Sequence, residues 1–211
     1  MTVAVLVAAF SVLAGSSRAA VPGANEVAAV LRGVPQHGAW LGKPTAPLIV
    51  VEYVDLQCPF CARFATETLP PIVRDYVRTG RVRILFRGLA FLGHDSVSAL
   101  QWTFGAASQN RLWNVLELLL ANQGRENSGW VDRPLLEGVA RSVRGLDVTK
   151  LRRDAPRSGP MIASAAAAAK AANVRGTPYL EAGRSLARLK PVQLKSLEAR
   201  DLAAQLDRLL K

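Results

Sequence analysis

Residues 47–61 read PLIVVEYVDLQCPFC, an apolar stretch that leads directly into two cysteines three positions apart. The β-branched segment Pro47 to Val54 has the pattern of a strand buried on both faces, although Glu52 interrupts it. Residues 62–79 then show apolar side chains at helical spacing, and Gly80 follows as a typical helix stop. The sequence therefore predicts that the cysteines lie at a strand-to-helix turn.

A second strand is predicted over residues 81–87, RVRILFR, where polar and apolar residues alternate at the start. With the first strand and the helix it forms a βαβ unit, in which the two strands run parallel. Pro70 and Pro71 fall inside the helix. Because proline lacks a backbone donor and disfavours helical geometry in the residue before it, the helix is predicted to divide into two pieces.

The middle of the chain has a helical pattern throughout. We predict one long helix over residues 96–122, shorter helices over 134–143 and after Asp147, and a further helix that begins with Ser158 as its N-cap. Asn173 is the predicted stop of that last helix.

The C-terminal part returns to sheet and helix. A strand through Leu180, a weak strand over 185–189 and a helix from about Ser196 to Leu210 are predicted. The predicted fold class is α/β, with one domain over residues 20–211 and an all-helical insertion at about 95–158.

The N-terminal residues 1–19 contain no acidic side chain and carry an apolar stretch from Val3 to Gly15. This pattern predicts a secretory signal, with a mature chain that begins near Ala20. The apolar run is shorter than the roughly 20 residues that span a bilayer, which favours cleavage over a membrane anchor. The predicted location is extracytoplasmic, with the protein either soluble or tethered at its N-terminus.

The chain has 27 Lys and Arg against 16 Asp and Glu, a formal net charge of +11. The basic residues are scattered along the sequence, which indicates a basic surface instead of a nucleic-acid-binding tail. No basic helix or RNA-binding motif accompanies them, so no nucleic-acid partner is predicted.

The two cysteines, Cys58 and Cys61, are the only ones in the sequence. A bridge between them closes a very short loop and stabilises the fold little, which points to redox chemistry. Zinc needs four ligands, and His37 and His94 are not spaced to complete such a site. Haem attachment requires a histidine directly after the second cysteine, where Ala62 stands. We therefore predict no metal and no cofactor, and assign no role to either histidine.

Several motifs in order give the chain a family resemblance. They are the segment from Val51 to Asp55 before Cys58-Pro59-Phe60-Cys61, then Thr68-Leu69-Pro70, Phe86-Arg87, and Val174 to Pro178. With these motifs the sequence resembles the DsbA-like thioredoxin-fold family of extracytoplasmic thiol–disulfide oxidoreductases, from about Gly38 to the C-terminus. The resemblance implies a thioredoxin fold in which the helical insertion separates the βαβ unit from a C-terminal ββα unit.

The resemblance implies a function for the cysteine pair. Cys58, at the start of a helix, is the sulfur that exchanges with substrates, because the helix N-terminus favours its thiolate. Cys61, one turn deeper, is the resolving thiol. Phe60 occupies the position where the best-known strong oxidants of the family carry histidine, so the pair is expected to be a weaker oxidant.

Other site residues follow from the same resemblance. Glu52 matches a buried acid beneath the disulfide, which would exchange a proton with Cys61 directly or through water; the alternative is a salt bridge to an arginine at the sheet edge. Pro178 matches a cis-proline that faces the disulfide. Thr177, Pro59 and Phe60 are the predicted substrate-binding residues.

The family further implies that the protein donates disulfides to exported thiol-containing proteins. A membrane redox partner, quinone-linked or like vitamin K epoxide reductase, would then reoxidise it. Two alternatives stay open: a reductase or isomerase, in which electrons flow differently, and a non-catalytic peptide-binding module in which the cysteines are incidental.

Overall fold

The computed structural model describes residues 20–211, so the predicted signal segment 1–19 lies outside the described residues. Six strands form one mixed sheet in the order β1-β2-β4-β3-β5-β6, with β3 parallel to β4 and the other neighbours antiparallel. The predicted α/β class and the parallel βαβ unit are confirmed. The strands are β1 (Gln36–His37), β2 (Trp40–Leu41), β3 (Leu48–Asp55), β4 (Val82–Leu89), β5 (Tyr179–Gly183) and β6 (Lys190–Pro191).

The segment between β4 and β5 is helical. The α-helices there are α4 (His94–Gly105), α5 (Leu112–Ala121), α6 (Arg133–Ser142), α7 (Val148–Asp154) and α8 (Gly159–Ala171); α1 (Ala24–Leu31) precedes the sheet and α9 (Ala199–Leu210) follows it. Across residues 20–211, no helix combines the length and the apolar character that crossing a membrane requires. The predicted domain bounds, including the insertion at about 95–158, stay predictions.

One long helix over 96–122 was the wrong prediction, because the chain breaks between α4 and α5. A 3₁₀ turn (Ala107–Gln109) follows α4, and Asn110 then adopts a left-handed conformation with φ 55°. Asparagine tolerates this conformation better than most residues, and helical hydrogen bonding cannot continue through it.

The helix after the cysteines, residues 59–77, is here called the motif helix. It consists of α2 (Pro59–Arg63), a π-helical turn (Phe64–Thr68), α3 (Leu69–Ile72) and a second π-helical turn (Val73–Val77). The predicted division into two pieces is therefore wrong.

The π-helical turns explain how the motif helix continues through its prolines. The N–H of Leu69 donates to the carbonyl of Phe64, five residues back, and the N–H of Arg78 donates to the carbonyl of Val73 at 2.8 Å. These wider turns stand on either side of Pro70, which falls in the first turn of α3, where a missing N–H is best tolerated.

Ser158 is the N-cap residue of α8, as predicted, but its hydroxyl donates to the carbonyl of Ala155 at 2.7 Å and makes no capping hydrogen bond, because Ser158 already has helical backbone angles. A smaller prediction is wrong. The weak strand predicted over 185–189 is a 3₁₀ turn (Leu186–Arg188), and pairing with β5 is confined to the two residues of β6.

Strand β3 runs through the centre of the sheet, and every residue of it is buried. Val50 and Val54 pack into the larger core, which the motif helix and α5 share, while Val51 and Tyr53 face the smaller core on the side of α8. Because side chains alternate along a strand, Glu52 points to the same face as Val50 and Val54. An acidic side chain therefore lies between the sheet and the motif helix.

Candidate active site

The turn after β3 positions the two cysteines. Cys58 has extended backbone angles (φ −74°, ψ 119°) and is the N-cap of α2, with its N–H donating to the carbonyl of Asp55 at 3.0 Å. The N–H of Cys61 donates to the carbonyl of Cys58 at 3.0 Å, which closes the first helical turn. Pro59 takes the first helical position, where its lack of a donor does not matter. The side chain of Cys58 therefore stands at the helix N-terminus.

Both cysteines are free thiols, and both are buried. Cys58 is 6% exposed and Cys61 is 1% exposed. The exposed part of the motif is formed by Pro59 and by Phe60, whose side chain is 57% exposed. Both cysteines belong to the larger core, together with residues of the motif helix.

Thr177 lies directly against Cys58. When Cys58 is protonated, its thiol donates to the carbonyl oxygen of Thr177 at 3.1 Å, and the Thr177–Pro178 peptide bond is cis. This contact follows from the sheet, because β5 begins at Tyr179, which pairs with Tyr53 near the end of β3. The chain just before β5 and the turn just after β3 therefore meet at one edge of the sheet.

The two thiols have opposite acidities. A hydrogen bond from the Cys61 thiol, aided by the Thr177 side chain and the backbone N–H groups of Cys61 and Phe60, lowers the pKa of Cys58 to about 6 against the effect of burial. Burial, together with the hydrogen bond to Cys58, raises the pKa of Cys61 well above its ordinary value. At neutral pH Cys58 is thus a thiolate while Cys61 keeps its proton.

Asp55 is fully buried and organises the turn. Its carboxylate accepts hydrogen bonds from the N–H groups of Gln57 at 2.9 Å, Phe91 at 2.7 Å and Leu92 at 2.9 Å, and from the hydroxyl of Ser96 at 2.6 Å. These donors replace the water that a buried carboxylate would otherwise need. They join the end of β3 to the loop after β4 and to α4.

The helical segment also holds the cysteine turn. The side-chain amide of Gln123, just beyond α5, donates to the carbonyls of Leu56 at 2.7 Å and Cys58 at 3.1 Å. The amide oxygen of Gln57 accepts from the backbone N–H of Asn127 at 2.7 Å. The sequence prediction assigned no role to Gln123 or Asn127, because nothing in the local pattern shows which distant amides reach the turn.

Glu52 is 3% exposed, and its Oε2 atom has no hydrogen-bond partner. Burial raises the pKa of Glu52 to about 8. The ion pairs found within residues 20–211 do not include Glu52, so the alternative of a salt bridge to an arginine is not observed. No direct hydrogen bond joins Glu52 to Cys61 in the described part of the chain, and its predicted proton exchange with Cys61 would pass through water.

Glu117 on α5 is a second buried acid, 7% exposed, that the sequence prediction missed. Burial, and then the charge of Glu52, raises the pKa of Glu117 well above its ordinary value. A signal was available: residues 116–120 read LELLL, so one acid stands within an otherwise apolar helical run. Burying a carboxyl group in such a position costs free energy, and buried acids of this kind are concentrated at functional sites.

Comparison with known proteins agrees with this geometry. The model of a family described as thioredoxin matches residues 35–195. Disulfide bond formation protein D of Bacillus subtilis is 32% identical over 108 residues, which are 49% of this chain and 47% of that protein. The chain therefore spans about half the length of the curated relatives of this name that it matches.

Solved structures share the fold. BdbD from Bacillus subtilis, in its oxidised form, superposes with a TM-score of 0.70 at 22% identity and covers 84% of this chain and 97% of its own. DsbA of Chlamydia trachomatis gives a TM-score of 0.68 at 16% identity, covering 81% of this chain and 90% of its own. The predicted thioredoxin fold is confirmed. Since the family match covers most of the sequence, the chain belongs to the thioredoxin family that this model describes, and its fold is like that of the DsbA structures.

Proposed function

We propose that the protein is a thiol–disulfide oxidoreductase that donates the Cys58–Cys61 disulfide to thiol-containing proteins outside the cytoplasm. The observation that carries this proposal is that Cys58 stands at the N-terminus of α2 beside Thr177 while Cys61 is buried behind it, which suits Cys58 as the exchanging sulfur and Cys61 as its partner. The opposite pKa shifts of the two thiols agree with these roles. The name of the Bacillus relatives, disulfide bond formation protein D, supports it.

The proposed reaction moves two electrons from substrate to enzyme. A substrate thiolate attacks the sulfur of Cys58 in the oxidised pair, and Cys61 leaves as a thiolate that takes up a proton. A second substrate thiolate then attacks the substrate sulfur of this mixed disulfide, and Cys58 leaves as a stable thiolate. The substrate gains a disulfide and the enzyme keeps both electrons as its reduced pair.

The direction of electron flow follows from the stability of the reduced pair. A Cys58 pKa of about 6 stabilises the reduced form at neutral pH, and a stabilised reduced form makes the disulfide more oxidising. Phe60 adds no positive charge beside this thiolate, so the pair is a milder oxidant than one with histidine there. Reduction or isomerisation of disulfides is the alternative direction.

The substrate chain is proposed to lie across the residues beside Cys58. Thr177 and Pro178 would offer backbone groups to an extended peptide, and Pro59 and Phe60 would contact its side chains. A cleft of about 490 Å³ is lined by Phe91, Lys170, Arg175 and neighbouring residues, and the Phe91 side chain is exposed. The exposed rings of Phe60 and Phe91 would suit the apolar side chains of an unfolded segment.

The remaining parts of the proposal concern location and partners. Residues 1–19 are proposed to act as a secretory signal for a domain formed by residues 20–211. A quinone-linked or vitamin K epoxide reductase-like membrane protein is proposed to reoxidise Cys58 and Cys61, and Glu52 is proposed to exchange the proton of Cys61.

The test is the transfer of disulfides to a reduced, unfolded enzyme whose regained activity reports oxidation. The oxidised wild-type protein should restore activity in proportion to its amount, while Cys58→Ser and Cys61→Ser, which cannot form the disulfide that is donated, should restore none. If Cys58→Ser restored as much activity of the test enzyme as the wild type does, the redox function would be refuted. The protein would then act by binding the unfolded chain. The equilibrium with glutathione gives the reduction potential, and a strongly negative value would assign the reductase direction instead.

A further inference from the structure

The proposed reaction requires a route for protons, and this inference rests on that proposed function. Cys61 leaves the disulfide as a buried thiolate and needs a proton, for which Glu52 is the proposed donor. Glu52 is itself 3% exposed, and its Oε2 atom meets no donor or acceptor. Glu52 therefore needs a further group to restore its proton from solvent.

Glu117 is the candidate for the group that restores the proton of Glu52. Its helix, α5, packs on the same larger core into which the neighbours of Glu52 on β3 project. Glu117 is 7% exposed, and the charge of Glu52 acts on it. Two carboxyl groups that share a poorly solvated region cannot readily ionise together, so the pair retains a proton near neutral pH.

A cavity of about 260 Å³ connects Glu117 with the surface. It lies between α1, the motif helix and α5, and is mostly apolar. Its polar lining residues are Glu117, Glu26 and Thr66, of which the last two are exposed. Water can thus enter at the end formed by Glu26 and Thr66 and reach the buried carboxyl.

The groups that face Glu117 from the packed elements are few. β3 contributes Glu52 and α1 contributes Glu26, while the motif helix contributes Ala65, Thr66 and Pro70, none of which ionises. No residue of α4 or α6 and no lysine or arginine of residues 20–211 lines this cavity. Among these residues, only the carboxyl groups can carry a charge, and that of Glu52 raises the pKa of Glu117.

We propose that Glu117 carries protons between Glu52 and the water of this cavity, so that Cys61 is supplied from a face other than the one proposed for substrate docking. When Cys61 leaves, its thiolate takes a proton, through water, from the Glu52 carboxylic acid. The Glu52 carboxylate takes one from Glu117 in the same way, and Glu117 is reprotonated by hydronium or a buffer acid in the cavity. No electrons pass through the acids, and the reverse reaction moves the proton outward.

The experiment measures the reverse reaction in a single turnover. The reduced protein is mixed with oxidised glutathione, quenched in acid and analysed by mass spectrometry. Formation of the mixed disulfide reports the attack by Cys58, and its decay reports displacement of glutathione by Cys61, which must lose its proton.

Glu117→Gln should slow the decay on the order of tenfold between pH 6 and pH 8, less than complete loss of a general base because Glu52 remains. The formation step and the pKa of Cys58 should stay unchanged, and Glu117→Asp should restore most of the rate. Glu181→Gln is the matched control, since Glu181 is a buried acid hydrogen-bonded to Tyr53 on the other face of the sheet.

The outcomes separate this inference from the function on which it rests. A wild-type decay rate and pH profile in Glu117→Gln would overturn the proton route, as would equal slowing of both steps, which indicates altered packing. A wild-type protein that forms no mixed disulfide at all would instead refute the proposed oxidoreductase function.

Discussion

The sulfur atom of Cys58 lies 3.1 Å from the carbonyl oxygen of Thr177, although the two residues are far apart in the sequence. The Thr177 side chain also hydrogen-bonds to the sulfur atoms, and it lowers the pKa of both Cys58 and Cys61. Thr177, which lies two positions before the start of β5, thus acts on both thiols of the motif.

The hydroxyl of Thr177 gives a direct prediction. Thr177→Val keeps the β-branched shape and removes the donor, so the pKa of Cys58 should rise from about 6 towards its ordinary value. The rise should stay incomplete, because the Cys61 thiol is the larger cause of the low pKa and remains. Thiolate absorbance at 240 nm, followed against pH, measures it. Thr177→Ser is the control, and an equal pKa in Thr177→Val and wild type would contradict the assignment.

Glu52 gives a prediction for stability against pH. Its pKa of about 8 in the folded protein exceeds the ordinary 4.5, so between these values the unfolded chain binds fewer protons. Stability should therefore fall as pH rises through this window, by on the order of a few kcal/mol for a shift of this size. Glu52→Gln should remove much of this loss of stability. The raised pKa of Glu117 should leave a smaller loss of the same sign.

Urea unfolding at pH 5 and at pH 8 compares the two proteins. The exposed Glu67→Gln serves as the control for a generic loss of charge, and it should follow the wild type at both values. If Glu52→Gln lost as much stability between pH 5 and pH 8 as the wild type, Glu52 would not be the buried titrating acid.

Asp55 gives a prediction for structural integrity. Asp55→Ala leaves the backbone donors of Gln57, Phe91 and Leu92 without their acceptor in a buried region. The expected loss is about 3 kcal/mol or more, and the melting temperature should drop by roughly 6–12 °C. Calorimetry measures this, with Asp75→Ala as control, since the Asp75 carboxylate is only partly buried and pairs with Arg74 at the surface. A loss below about 1 kcal/mol would show that water replaces the carboxylate.

Phe60 gives a prediction for redox strength. Phe60→His places a partly protonated ring beside the Cys58 thiolate, which should stabilise the reduced pair further. The equilibrium with glutathione should shift about tenfold towards the reduced protein, which corresponds to roughly 30 mV. Phe60→Leu, apolar like the natural residue, should leave the equilibrium near the wild-type value. A shift of the opposite sign in Phe60→His would argue against electrostatic control by this position.

The sequence predicted the part of the fold that depends on neighbouring residues. The buried strand, the cysteine turn and the second parallel strand follow from local patterns, and β3 and β4 begin one residue later than predicted and end one to two residues later. The family motifs named Cys58, Cys61 and Thr177, which the structure brings together. The roles of Glu52 and Pro178 stay predictions.

What the sequence did not predict depends on tertiary packing. The acid pair of Glu52 and Glu117 joins a strand to a helix more than sixty positions away, and no local pattern specifies that approach. Likewise, Asn110 ends the 3₁₀ turn after α4 through a left-handed conformation that helix propensity alone does not predict. The prolines of the motif helix were misjudged because π-helical hydrogen bonding arises only when packing favours a continuous helix.

The π-helical turn from Phe64 to Thr68 bears on the direction in which the two thiols point. A π-helical turn holds one residue more than an α-helical register would. It therefore accommodates this residue without rotating α2 relative to α3. In a purely α-helical segment, one additional residue would rotate the cysteines by about 100° around the helix axis. The π-helical turn thus keeps both sulfur atoms on the side of the helix that faces Thr177 and the core.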